Sequence, residues 1–66
     1  MSSLSEIGAV IQSVRKENGL TQEQLADLTG ISERTLRSME SGQGNPSFNA
    51  VVSTASVLGI KLMVEK

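Results

Sequence analysis

The sequence predicts a mainly α-helical domain of four to five helices that ends in a short β-strand. Four segments place apolar residues at helical spacing between residue types that begin and end helices. The last segment alternates apolar and polar residues instead, a period of two that is typical of a strand. With 66 residues, the chain is predicted to form one domain, residues 1–66.

The first predicted helix begins at a capping box, in which Ser3 and Glu6 bond to each other's backbone N–H groups. It ends at Asn18-Gly19, a pair that favours a turn. Its core face consists of apolar residues at helical spacing: Ile7, Val10, Ile11 and Val14.

The second predicted helix covers residues 22–28, and Thr21 is its N-cap. Gln24 completes a capping box with Thr21, and Leu20 and Leu25 form a hydrophobic staple across the helix start. The predicted apolar side consists of Leu25, Ala26 and Leu28, with Ala26 at the point where the next helix crosses.

The third predicted helix, residues 33–41, begins with the same device: Ile31 precedes the cap Ser32, and Leu36 lies at the staple position. Gly30 allows the positive φ that ends the preceding helix and turns the chain sharply. The helical period points three residues inward, Leu36, Met39 and Glu40, and four outward, Glu33, Arg34, Arg37 and Ser38. Two short helices joined this tightly indicate a helix-turn-helix, a motif that reads DNA.

At these positions the sequence resembles the Xre/Cro family of phage and bacterial repressors. The matching residues are Gln22, Ala26, Gly30, Ile31, Leu36 and Met39. Thr29 departs from the pattern, which commonly has an apolar residue there. The resemblance covers nearly the whole chain except the last segment, and it implies a lambda-repressor-like bundle that binds double-stranded DNA.

The resemblance also implies an ion pair between Arg15, on the first helix, and Glu40, at the end of the third. Shielded from water, such a pair would set the orientation of the recognition helix, although desolvation of both charges limits its net stabilisation. The alternative is two separate surface charges.

For base contacts, the resemblance implies Glu33, Arg34 and Ser38. Arginine can bind the O6 and N7 atoms of guanine with two hydrogen bonds, which makes Arg34 the first candidate. Glutamate can accept from the amino group of cytosine or can position Arg34.

Phosphate contacts are predicted at helix starts and in the loop that follows the recognition helix, because free backbone N–H groups there attract anions. Gln22 is either such a contact or an ordinary first-turn residue, and Arg37 either reaches a phosphate or stays solvated. The predicted phosphate contacts are Thr21, Gln22, Ser32, Thr35, Arg37, Gln43 and Asn45.

The loop of residues 42–46 leads into a fourth helix, residues 48–58, which begins after the cap Ser47. This loop is either a DNA backbone contact or a plain connector. Phe48 is expected to pack at the helix start, and the predicted core side consists of Val51, Val52, Ala55 and Leu58.

The C-terminal strand is predicted to mediate dimerisation. The apolar face contains Ile60, Leu62 and Val64, and the other face Lys61, Met63 and Glu65. A lone strand leaves its backbone groups unpaired, so its partner is expected to be a second copy of the chain in a two-fold homodimer. Antiparallel pairing centred on Met63 would place Lys61 opposite Glu65 of the partner subunit. The alternative is a frayed tail.

A helix-turn-helix domain ending in such a strand resembles the HipB-like branch of the family. These antitoxins bind their own operator as dimers and also bind a HipA-like kinase toxin. The extended C-terminal tail that some members have is not expected here, and a free-standing repressor is an equal alternative.

The amino-acid composition argues against several other classes of function. The chain has no cysteine or histidine and a formal net charge of −1. No enzyme, metal site or cofactor is predicted, because no pair of residues has a convincing catalytic spacing. No apolar run is long enough for a membrane span or signal peptide, so a cytoplasmic location is expected. The main alternative to a DNA-binding protein is a protein-interaction module, because the chain is slightly acidic and DNA-binding proteins usually carry an excess of basic residues.

Overall fold

A computed structural model describes residues 4–60 of the chain as a bundle of four helices. The helix Leu4–Glu17 packs against the helices Glu33–Glu40 and Phe48–Leu58, and the helix Gln22–Thr29 packs against the same two. Within the described residues, none of the helices is both long and apolar enough to cross a membrane. The helices are α1 (Leu4–Glu17), α2 (Gln22–Thr29), α3 (Glu33–Glu40) and α4 (Phe48–Leu58).

The helix ends follow the predicted local chemistry. The hydroxyl of Thr21 accepts from the Gln24 N–H at 3.0 Å, and the Gln24 side chain accepts from the Thr21 N–H at 2.9 Å, which completes the capping box. Ser32 and Ser47 cap α3 and α4 with one bond each, their hydroxyls accepting from the N–H groups of Thr35 and Ala50. Gly30 has a φ of 75°, as the turn between α2 and α3 requires.

The core lies where the four helices meet. Ala26 is 3% exposed, in agreement with its predicted place at the crossing of α2 and α3. Thr54 is also fully buried, and its hydroxyl donates to the Ala50 carbonyl at 2.8 Å, which satisfies the buried polar atom. The most buried apolar side chains are Ile11, Leu25, Leu36 and Met39.

Four apolar residues that the sequence placed on core faces are exposed instead: Val10 at 48%, Leu28 at 60%, Phe48 at 70% and Val52 at 38%. Each residue turns a helix by about 100°, so an apolar residue next to the core stripe can still fall outside the arc that the neighbouring helices cover. On α4, Thr54 lies within that arc while Val52 lies outside it. Helical periodicity gave the correct core side of each helix, but it predicted a buried face that is wider than the one in the structure.

The first glycine in the chain, Gly8, marks the closest approach of α1 to α3. A Cβ atom at this position would overlap the carbonyl oxygen of Met39 and lie 3.0 Å from that of Glu40. The absence of a side chain therefore lets α1 rest directly on the backbone at the C-terminal end of α3. This role is not visible in the sequence, where a glycine inside a helix indicates only reduced helix propensity.

We expect Gly8→Ala to destabilise the domain by about 1–3 kcal/mol, because the added methyl group must push α1 away from the backbone of α3. Alanine alone favours a helix by about 1 kcal/mol over glycine, so the two effects have opposite signs. Urea unfolding followed by circular dichroism measures the difference. Ser13→Ala, at an exposed position of α1, is the control and should change stability by less than about 0.5 kcal/mol. A gain in stability for Gly8→Ala would contradict the close contact.

Candidate nucleic-acid interface

The outward face of α3 carries the residues that the sequence predicted for base contacts. Arg34 is exposed, and within residues 4–60 no hydrogen bond or ion pair engages its side chain. Ser38 and Glu33 are partly exposed on the same short helix. The guanidinium of Arg34 therefore keeps all five N–H donors available to a ligand.

Glu33 and Arg37 form an ion pair one helical turn apart, with the Arg37 Nη2 atom 3.1 Å from Glu33 Oε2. Both side chains are largely in solvent, 43% and 63% exposed respectively, so the pair contributes only about 0.3–0.5 kcal/mol. The sequence predicts that Glu33 either accepts from cytosine or positions Arg34, and in the structure of the free protein its partner is Arg37. Either residue can exchange this weak contact for a stronger one.

A buried ion pair joins α1 to the end of α3. The Nε atom of Arg15 donates to Glu40 Oε2 at 2.7 Å, and Nη2 donates to Oε1 at 3.0 Å. The side chains are 9% and 2% exposed, so both charges are removed from water. The structure thus brings together the two residues that the resemblance paired, with the two-bond geometry that a buried arginine and carboxylate need.

The same ion pair extends to the start of α2. Arg15 Nη1 donates to the Leu20 carbonyl at 2.8 Å, and Gln22 Nε2 donates to Glu40 Oε1 at 3.1 Å. From the sequence, Gln22 is either a phosphate contact or an ordinary first-turn residue, and no bond to Glu40 is predicted. Around α2, Gln22 lies between the buried residues Leu25 and Ala26, about 60° from the first and about 40° from the second, which was a signal for an inward role. Helix α1, the start of α2 and the end of α3 are therefore joined by one polar cluster, formed by Arg15, Gln22 and Glu40.

The predicted phosphate contacts at the helix starts also cap the helices. Ser32 Oγ accepts from the Thr35 N–H at 3.0 Å and donates to Thr35 Oγ1 at 2.8 Å. With its own proton not used in this pair, the Thr35 hydroxyl remains a donor at the start of α3. Thr21 likewise uses its oxygen as an acceptor in the α2 cap and keeps its hydroxyl proton.

The loop after α3 folds back against that helix. The Gln43 N–H donates to the Ser38 carbonyl at 2.9 Å, and a Cβ atom at Gly44 would lie 3.5 Å from the Ser38 side chain. The side chains of Gln43 and Asn45 are exposed. The loop is therefore held beside the C-terminal part of α3, with two neutral donors on its surface.

Two short helices joined at Gly30, the second with an exposed polar face and a free arginine, define the helix-turn-helix class of DNA-binding domains. The helix-turn-helix family HTH_3 matches residues 11–63. The chain belongs to this Xre-type family of DNA-binding transcriptional regulators.

Two relatives illustrate the sequence similarity. The immunity repressor protein of Bacillus phage phi105 is 38% identical over 56 residues, which cover 85% of this chain and 39% of the phage protein. The chain thus spans about two fifths of that repressor. The uncharacterised HTH-type transcriptional regulator y4dJ of Sinorhizobium fredii is 35% identical over 54 residues, which cover 82% of this chain and 70% of the regulator.

Solved structures share the fold. The restriction-modification controller protein C.AhdI from Aeromonas hydrophila is 33% identical, with a TM-score of 0.79 and 88% of each chain covered. A chain of the HipA–HipB–O2–O3 complex has a TM-score of 0.84 at 23% identity, over 100% of this chain and 93% of the other. At that identity, the second comparison concerns the fold alone.

Proposed function

We propose that the protein is a sequence-specific repressor that binds a palindromic operator as a homodimer and regulates its own gene. The observation that carries this proposal is Arg34, an exposed arginine that has no partner among residues 4–60. It lies on a recognition helix whose far end is anchored by the buried pair of Arg15 and Glu40. A rigid helix that presents a free guanidinium is suited to reading base edges in the major groove.

The proposed DNA contacts are of two kinds, to base edges and to phosphates. Arg34 binds guanine O6 and N7, while Ser38 and Glu33 contact neighbouring base edges. Glu33 is released for this task when Arg37 exchanges their weak ion pair for a phosphate. Phosphates are further contacted at the two helix starts and in the loop after α3, by Ser32 only once its hydroxyl proton leaves Thr35 Oγ1. The residues of this set are Thr21, Gln22, Ser32, Thr35, Gln43 and Asn45.

The homodimer rests on the strand-like C-terminal pattern, which lies outside the described residues apart from Ile60. Ile60 packs against the core, and its N–H donates to the Ala55 carbonyl at 2.8 Å as part of the end of α4. The proposed pairing segment is residues 60–65, in which Ile60 also packs against the core, with Lys61 opposite Glu65 of the partner subunit.

Removal of residues 61–66 is the matching test of the dimer, because this truncation keeps the core contact of Ile60. We expect a folded monomer in sedimentation equilibrium and a marked loss of operator affinity, since each half-site then binds alone. Circular dichroism checks that the helices persist. A truncated chain that remains dimeric, or that binds the operator at full affinity, would contradict the proposed interface.

Operator binding itself is tested by a mobility-shift titration on the DNA directly upstream of the coding region, with excess unrelated duplex as competitor. The proposal predicts a saturable shift with two chains per site, which Arg34→Ala abolishes at the same protein concentration. Lys16→Ala removes one exposed positive charge from α1 instead and is the matched control. A folded dimer that shifts specific and unrelated DNA equally would contradict the proposal.

We expect the salt dependence of operator binding to be shallow. The net charge is −1, and one of the six basic residues, Arg15, is buried in an ion pair. Because about 0.9 counterions are released per neutralised phosphate, a dimer with few such contacts should give a log–log slope of about −2 to −5. Affinities measured from 50 to 300 mM salt test this, and a slope near −10 would indicate many more cationic contacts.

A second candidate function is that of an antitoxin that also binds a HipA-like kinase toxin. It is supported by the fold shared with chains from the HipA–HipB–O2–O3 complex, at 23% identity. The alternatives are a free-standing repressor and a pure protein-interaction module. Co-expression with the product of the adjacent gene distinguishes the antitoxin from the free-standing repressor: a stable complex in gel filtration supports the antitoxin, and separate elution of two folded proteins supports the repressor.

A further inference from the structure

The side chain of Gln22 connects the DNA-facing surface to the buried ion pair. Its Nε2 atom donates to Oε1 of Glu40 at 3.1 Å, and the same oxygen accepts from Arg15 Nη2 at 3.0 Å. Both hydrogen bonds are donated to the Glu40 oxygen, which acts as their acceptor. It therefore selects the NH2 edge of the Gln22 amide and turns the carbonyl edge away.

This selection matters for a phosphate contact. A phosphate oxygen is also only an acceptor, so it binds the NH2 edge of a glutamine and is repelled by the carbonyl edge. A free glutamine side chain can present either edge. With one N–H held by Glu40, Gln22 keeps a second N–H on the same nitrogen at a fixed angle to the first.

We propose that Glu40 is a positioning residue for DNA binding, which orients the Gln22 amide so that its second N–H donates to a backbone phosphate. The inference rests on the proposed operator binding. Glu40 is the last residue of α3, so the group that anchors the recognition helix also orients a phosphate donor on α2. A shift of α3 therefore moves the phosphate contact of Gln22. The position of the protein along the DNA backbone is thus coupled to the base contacts that α3 makes.

Arg15 completes the arrangement from the other side. It binds both carboxylate oxygens of Glu40, and its Nη1 atom donates at 2.8 Å to the carbonyl of Leu20, two residues before Gln22. The backbone that carries Gln22 and the carboxylate that orients its side chain are therefore fixed by the same guanidinium. The phosphate donor is held in place before DNA arrives, so binding orders few additional groups.

A double-mutant cycle tests the coupling on the full chain. Glu40→Asp keeps the negative charge near Arg15 but withdraws the carboxylate from Gln22, and Gln22→Ala removes the donor. We expect each single change to lower operator affinity on the order of tenfold. The double variant should bind no more weakly than the single variant with the larger loss of affinity. Gln43→Ala, in the loop after α3, is the control and should combine additively with Glu40→Asp.

Additive losses for Gln22→Ala and Glu40→Asp would overturn the coupling while leaving operator binding by the wild type intact. A wild-type protein that binds no specific DNA would overturn the proposed function together with this inference. The two failures are therefore distinguishable in one set of titrations.

Nuclear magnetic resonance provides a second measurement on the wild-type protein, independent of how well Glu40→Asp folds. The two side-chain amide protons of Gln22, assigned by their loss in Gln22→Ala, should differ strongly in exchange with solvent, because Glu40 binds only one of them. Operator DNA should then slow the exchange of the faster proton. Equal exchange rates in the free protein, or no change on addition of operator, would overturn the proposal.

Discussion

Glu40→Ala is expected to unfold the domain at 25 °C. Removal of the carboxylate leaves the Arg15 guanidinium buried without a counter-charge, and breaking a buried pair in this way costs about 3–5 kcal/mol. A domain of this length with no disulfide has a core that supplies about 3–5 kcal/mol in total. Loss of the α-helical circular dichroism signal measures the effect.

Two controls show whether the loss of stability in Glu40→Ala comes from the buried unpaired charge or from the loss of an ion pair in general. Arg37→Ala breaks the exposed pair with Glu33 and should lower stability by only about 0.3–0.5 kcal/mol. The double variant Arg15→Met, Glu40→Met removes both buried charges and should recover most of the lost stability. A folded Glu40→Ala protein with near wild-type stability would contradict the described burial of the pair.

Arg34→Ala has the largest expected effect on DNA binding. A bidentate contact between arginine and guanine contributes about 1–3 kcal/mol of discrimination, which corresponds to roughly 5–150-fold at each half-site. A dimer uses this contact twice, so the total loss is larger for the complete operator. Fluorescence anisotropy with labelled operator DNA measures it, and the stability of the domain should change by less than about 0.5 kcal/mol because Arg34 has no partner among residues 4–60.

Arg37→Ala is the matched control for Arg34→Ala, because it removes the same group from the same exposed helix face. If Arg37 contacts only phosphate, its loss should weaken binding to all sequences equally and reduce the salt slope by about 1 per subunit. A result in which both variants weaken every sequence equally would assign Arg34 to phosphate as well.

The sequence predicted the features that depend on neighbouring residues. The capping box of Thr21 and Gln24, the caps Ser32 and Ser47, and the positive φ of Gly30 are all decided within a few residues along the chain. The helix order and most of the core follow from these boundaries and from helical periodicity. The exposed face of α3 could therefore be located without a structure.

Helical periodicity could not predict three features that depend on packing between helices. The role of Gly8 depends on how closely α1 approaches the backbone of α3, and that of Gln22 on the distance from α2 to Glu40. The exposure of Leu28 depends on how far α3 and α4 reach around α2. Periodicity gives the direction of each side chain from its own helix axis but carries no distance to another helix.

The central claim, that Arg34 reads a guanine in the operator, is tested most directly by a base-substitution series. Affinities of the wild type and Arg34→Ala are measured for operators in which each base pair of both half-sites is changed in turn. We predict that the wild type discriminates at one G·C pair per half-site and that Arg34→Ala loses discrimination at that pair alone. Unchanged discrimination at every position in Arg34→Ala would contradict the claim.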